Sequence, residues 1–143
     1  MSDIEKIIDQ VTAEDIKAAL ADEDCIRDTF CGLPVLIIDG DEYAIAENEQ
    51  KADEAAYMAI EDMLWAFRDT FLAEQTGLPV ELFTFLAEKD CTDNDIYRQL
   101  IESKTTIENF ADEAIYVDGR GHFLAGYDLA EREIGNYLLY RQN

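Results

Sequence analysis

From Ala52 to Phe71 apolar residues recur at three- and four-residue steps: Ala52, Ala56, Ala59, Ile60, Met63, Phe67 and Phe71. The stretch 47–74 holds no Gly or Pro and is rich in Ala, Glu, Met and Leu, all strong helix formers. Propensity and period together predict one long helix, about 40 Å from end to end. Tyr57, Leu64, Trp65 and Leu72 widen its apolar stripe, so neighbours are expected on two sides. The surplus apolar surface also leaves room for a homodimer through this helix.

Elsewhere the pattern changes period. Ile4, Ile7 and Ile8 share one face of a short helix expected over 3–10. Thr12 and Asp15 have the spacing of a capping box that opens a second helix over 16–24. Residues 25–32 read as a connection with a short helical turn closed by Gly32. Pro34 to Ile38 is an apolar, largely β-branched run, followed by Asp39-Gly40 and then Tyr43 and Ile45. Apolar runs around an Asp-Gly pair are a strong hairpin signal, giving strands at 34–38 and 42–46. Gly77 and Pro79 suit the stop of the long helix and the start of the next. Further helices are expected through Leu82, Phe83 and Leu86, through Ile96, Leu100 and Ile101, and over 106–117 into Gly119. Residues 113–117 taken alone also fit a strand. Residues 121–128 read as an irregular corner, and 136–141 as a last strand beside the hairpin. The fold class expected is α+β: a three-stranded antiparallel sheet on a helical layer, in one domain over 1–143.

Charge is the compositional outlier, with 33 acids against 11 bases and a net charge of −22 over 143 residues. The excess is uneven: residues 1–33 carry −6 and residues 34–75 carry −9. Such a chain cannot build the basic patch that binds nucleic acid, and the same sign argues against docking on anionic membrane. No window is apolar enough to span a bilayer, and the acidic N-terminus lacks a signal region, which points to the cytoplasm. Three cysteines without CxxC spacing fit reduced thiols.

Motifs for chemistry are sparse. Asp39-Gly40-Asp41-Glu42 and the run from Asp90 to Asp95 resemble calcium loops only superficially, lacking the Gly and Glu positions of that geometry. One histidine and three scattered cysteines make no zinc cluster. No metal or cofactor is therefore expected. His122 stands in Asp118-Gly119-Arg120-Gly121-His122-Phe123. As a general base it would be oriented by Asp118 or Asp128, with Arg120 steadying an anion. The structural reading of the same corner, with His122 and Arg120 bonding backbone and Phe123 in the core, is the stronger one. An enzyme is not expected.

The acids carry more information. Glu47, Glu54 and Glu61 return to one face of the long helix, flanked by Asp53, Asp62 and Asp69, and the turn acids Asp39, Asp41 and Glu42 lead into it. Carboxylates repeating along a rod can imitate a phosphate backbone and fill the basic groove of a nucleic-acid-binding protein. A merely solvated face and salt adaptation are the bland alternatives.

The segment Asp118-Gly119-Arg120-Gly121-His122-Phe123-Leu124, followed by Tyr127-Asp128 and a terminal Tyr140-Arg141-Gln142-Asn143, resembles a group of small acidic proteins of tailed phages. Asp62-Met63-Leu64-Trp65-Ala66-Phe67 is similar to that group as well. The resemblance spans about half of the chain. It implies a phage origin and, by analogy, an accessory protein that inhibits a host or anti-phage-defence protein in the manner of an anti-CRISPR inhibitor. It transfers no catalytic residue. The expected partner is a protein with a basic nucleic-acid-binding groove, inside the infected bacterium. The alternatives are a small enzyme or ligand-binding protein built on Arg120 and His122, and a component of the virion or its assembly.

Overall fold

Strand pairing is where sequence and structure diverge first. The computed structural model describes residues 6–143. The first residues of the helix expected over 3–10 lie outside this range, and the remainder holds one 3-10 turn, Ile8–Gln10. Tandem two-residue hairpins then build three strands, β1 (Ile26–Phe30), β2 (Leu33–Ile38) and β3 (Asp41–Ala46). Both turns use left-handed backbone at two successive residues, Cys31-Gly32 and Asp39-Gly40, the geometry that matches strand twist. Near the C-terminus β4 (Arg132–Ile134) and β5 (Tyr137–Arg141) form another pair, and β5 joins β3. The result is a five-stranded antiparallel sheet in the order β1-β2-β3-β5-β4, not the three-stranded sheet expected. The α+β class holds.

The two extra strands have a common cause. Both are edge strands that expose polar residues in succession, Arg27-Asp28-Thr29 in β1 and Arg132-Glu133 in β4. They lack the alternation that marks a strand with one buried face. Residues 25–32 are thus strand and turn, preceded by a 3-10 turn at Glu23–Cys25, and not a helical connection.

The chain divides into two compact units, one of residues up to 58 plus 118–143, the other of residues 59–117. In the first, α1 (Ala13–Leu20) opens with the expected box: Thr12 Oγ accepts from the Asp15 amide at 3.2 Å, and Asp15 accepts from the Thr12 amide at 3.0 Å. Ile16 and Ala19 of α1 meet Leu36, Ile38, Tyr43, Ile45 and Leu139 in one buried cluster. Alternate residues of the central strands, Ala44, Ala46, Leu138 and Tyr140, are buried as well, so the sheet is covered on both faces.

The long helix of 47–74 is not continuous. α2 runs over Glu49–Asp62, Met63 leaves helical backbone, Leu64–Ala66 is a 3-10 turn, and α3 starts at Asp69 and ends at Thr76. No Gly or Pro causes this break. Within the second unit the side chain of Asn94 occupies the gap, donating to the Glu61 carbonyl at 2.6 Å and accepting from the Leu64 amide at 2.7 Å. These are backbone groups that an interrupted helix would otherwise leave without partners. The rings of Phe67, Phe71 and Phe110 pack with centroids 4.9–5.4 Å apart. Tertiary contacts of this kind outweigh a per-residue preference of less than 1 kcal/mol.

Gly77 ends α3 in left-handed backbone as expected, and α4 (Val80–Glu88) and α5 (Asn94–Glu102) follow. The stretch 107–118 is helix α6, not strand. Leu72, Phe83, Tyr97, Ile101 and Phe110 fill the core of this unit. The corner after Gly119 is not irregular: Arg120–Leu124 is a short helix, α7. Among the described residues no helix is long and apolar enough to cross a membrane.

Candidate functional site

Arg120 is the centre of the densest polar cluster in the sheet unit. Gly119, at φ 84°, turns the chain into α7, and Gly121 allows residues 129–131 to pass close by. A Cβ on Gly121 would lie 2.7 Å from the Leu129 carbonyl oxygen, so only glycine fits. The Gly-Arg-Gly sequence is thereby a device for bringing the Arg120 guanidinium to the chain that returns over it. Arg120 donates Nε to Glu131 Oε1 at 2.9 Å and Nη2 to Oε2 at 3.2 Å, a bidentate fork. Its Nη1 reaches Asp53 of α2 at 3.2 Å, and Glu49 lies 3.5 Å from Nη2. The fully buried Tyr140 donates its hydroxyl to Glu131 as well.

Burial by itself would lower the Arg120 pKa, but the bonds and charge of Glu131, with Asp53, raise it beyond the ordinary guanidinium range. Burial, and then the bond to Glu131, push the Tyr140 phenol well above its ordinary value. Arg120 stays charged and Tyr140 stays neutral at any physiological pH. The cluster is a lock between α2, α7 and β5, not a poised acid–base pair.

The partners expected for this corner are placed differently. Asp118 is exposed at the end of α6. Asp128 uses one oxygen to accept from the Ala130 amide. His122 is exposed, its ring edge-on to Phe123 at 4.9 Å, and Phe123 is only half-buried, with Leu124 filling the core instead. None of Asp118, His122 and Asp128 bonds Arg120. Glu49, Glu131 and Tyr140, which do belong to its cluster or border it, carried no local signal in the sequence.

The nine acids expected to form one face have different roles. In the sheet unit Asp39 is exposed in its hairpin turn, and Glu47 and Glu54 are exposed at and along α2, with Lys51 3.7 Å from Glu54. Asp41 pairs with Arg141 at 3.1 Å, Asp53 pairs with Arg120, and half-buried Glu42 holds the C-terminal residues through its backbone. In the helical unit Asp62 is exposed and Glu61 is half-buried. Asp69 accepts from Thr84 Oγ at 2.7 Å and so ties α3 to α4. The sequence sees carboxylates equally; the fold uses Asp41, Asp53 and Asp69 internally. Among the described residues no group of three or more His, Cys, Asp or Glu is placed to hold a metal ion.

A second feature of the sheet unit is a solvent-open cleft of about 330 Å³ between β3, β5 and residues 128–133. Tyr43 and Leu139 lie in it beside Asp128, Glu133, Arg132 and Arg141. Arg141 stacks on the Tyr127 ring at 3.7 Å. Comparisons with protein-family models, curated proteins and solved structures found no match.

Proposed function

We propose that this is a phage-encoded accessory protein that inhibits a host or anti-phage-defence protein by presenting carboxylates to its basic nucleic-acid-binding groove. One observation carries the reading. Three of the seven Lys and Arg residues of the sheet unit, Arg120, Arg132 and Arg141, are ion-paired with acids of their own chain, and the acids of that unit still outnumber its cations. Exposed acids stay at Asp39, Glu47 and Glu54 in that unit and at Asp62 in the helical one. With a net charge of −22, repulsion opposes folding, and binding to a basic groove gives that charge a use. The presenting element is the fourteen-residue α2 and its flanks, not a 40 Å rod.

The enzyme reading is weaker, because Arg120 is saturated by Glu131, Asp53 and Glu49 and does not meet His122. A virion component would be found in purified particles. The deciding experiment captures partners of the tagged protein from bacterial lysate and challenges them with duplex DNA. Displacement by DNA is expected, with affinity falling roughly a hundredfold between 50 and 200 mM salt. The double reversal Glu47→Lys/Glu54→Lys should weaken capture, and so should Glu61→Lys/Asp62→Lys. A partner that DNA leaves in place, or one indifferent to both reversals, overturns mimicry.

A further inference from the structure

The break after α2 turns apolar side chains into water. In the continuous helix that the period predicts, Met63 shares a stripe with Ile60 and Phe67. Ile60 is buried and Phe67 half-buried, but Met63 leaves helical backbone at φ −135°, ψ 41° and is 49 % exposed. Trp65, on the other side of the fully buried Leu64, is 38 % exposed. The break leaves the Glu61 carbonyl and the Leu64 amide to be satisfied by Asn94, at 2.6 and 2.7 Å. A dedicated side chain thus holds a geometry that exposes a methionine and a tryptophan, which core packing alone does not call for.

The same two hydrogen bonds bring residues 91–96 against residues 61–66. Together these stretches carry Glu61, Asp62, Asp93 and Asp95 and no cation, and all but Glu61 are exposed. Of the flanking cations, Lys89 lies over the Phe85 ring at 5.6 Å, and Arg68 and Arg98 stand beyond both stretches. An exposed apolar pair with an acidic rim fits a surface of the opposite charge that has its own apolar face. A second copy of this chain would bring the same acids and a net charge of −22, and anionic membrane has the wrong sign.

We propose that the junction of α2 and α3 docks a basic amphipathic helix of a partner protein. Apolar side chains of that helix cover Met63 and Trp65, and its lysines or arginines meet Asp62, Asp93 and Asp95. The proposal does not rest on nucleic-acid mimicry, in which apolar contact at Met63 and Trp65 has no part.

Trp65 is the one tryptophan of the chain, so its fluorescence reads the junction directly. The test titrates the full chain with a helical peptide of leucine and lysine at amphipathic spacing, and in parallel with oligolysine of equal charge. The amphipathic peptide should give a saturable blue shift of the emission and move the Met63 methyl signal in NMR. Met58, as exposed but in the sheet unit, should move less. Oligolysine should bind acids without the blue shift. Trp65→Ala and Met63→Ser should each weaken the peptide about tenfold in calorimetry, as loss of an apolar anchor does. Tyr127→Ala, an exposed aromatic of the sheet unit, should bind as the parent does. An equal blue shift with oligolysine overturns the proposal, and so does an affinity indifferent to both junction variants. A blue shift that grows with protein concentration alone assigns the junction to a second copy and overturns it too. If Trp65→Ala fails to fold, Met63→Ser and the two methionine signals decide.

Discussion

Asn94 stands thirty residues beyond Leu64 in the chain, and its side-chain oxygen accepts the Leu64 amide proton at 2.7 Å. Through its amide nitrogen it also holds the Glu61 carbonyl at 2.6 Å. One side chain thus closes both ends of a broken helix. Asn94→Ala should cost about 2–3 kcal/mol in urea denaturation, since two half-buried backbone groups lose their partners. Asn94→Asp should lie between, because it keeps the acceptor and loses the donor. A cost below 0.5 kcal/mol for Asn94→Ala would mean that the break at Met63 stands without it.

Arg120 presents a fork that a lysine cannot copy. Arg120→Ala should destabilise the protein by about 2–3 kcal/mol, the lower part of the range for a broken buried pair, because Asp53 and Glu131 retain some exposure. Arg120→Lys should recover less than half. Glu49 is 81 % exposed, so Glu49→Gln should change stability by under about 0.5 kcal/mol. Denaturant midpoints of the three variants check the ranking.

Gly121→Ala places a methyl group 2.7 Å from the Leu129 carbonyl and 3.0 Å from the Glu131 amide. The returning chain must move, and Glu131 moves with it. This substitution should therefore cost more than the roughly 1 kcal/mol of a simple conformational change. It should also be non-additive with Arg120→Ala, as residues of one network are. A double-mutant cycle that sums exactly would separate the glycine from the ion-pair cluster.

The Tyr140 phenol is held neutral above its ordinary value of about 10. A raised folded pKa means that its stabilisation is complete below that ordinary value and is lost as pH rises through the folded one. Alkaline unfolding should thus begin above about pH 10, and ionisation of Tyr140 should coincide with it in absorbance at 295 nm. Burial raises Tyr43 and Tyr97 too, so they belong to the same late class. Tyr140→Phe should flatten the alkaline limb while leaving the neutral fold intact.

At the acid end Asp15 is shifted down, first by the Thr12 amide and then by Lys6 at 2.9 Å. A lowered folded pKa gives stability that is present above the ordinary carboxylate value and lost as pH falls through the folded one. Fraying of α1 in NMR should follow that titration. In Asp15→Asn the dependence should vanish.

How much of this was legible in the sequence depended on whether the signal was local. The Thr12 box, the Asp39-Gly40 hairpin and the Gly77 stop each rest on a few adjacent residues, and each stands as read. The break at Met63 rests on Asn94 and Phe110, far along the chain, and nothing between 47 and 74 announces it. The edge strands stayed hidden because exposed edges carry charge and not alternation, which keeps them from pairing with other chains. The Asp118–Leu124 segment was visible as a motif, but its role was not. Gly121 is explained by residues 129–131, Gly119 by its positive φ, and Arg120 by Glu131 and α2.

The position of β5 has a consequence for how the chain reaches this structure. β1, β2 and β3 are joined by two-residue turns and can assemble as they emerge, but the free edge of β3 must wait for a strand about a hundred residues later. Until then the hydrogen-bonding groups of Ala44 and Ala46 face water, beside side chains that are fully buried at the end. Closing that long loop is expected to limit the folding rate, so refolding should be slow for a protein of this size and the half-built sheet should be the species that aggregates.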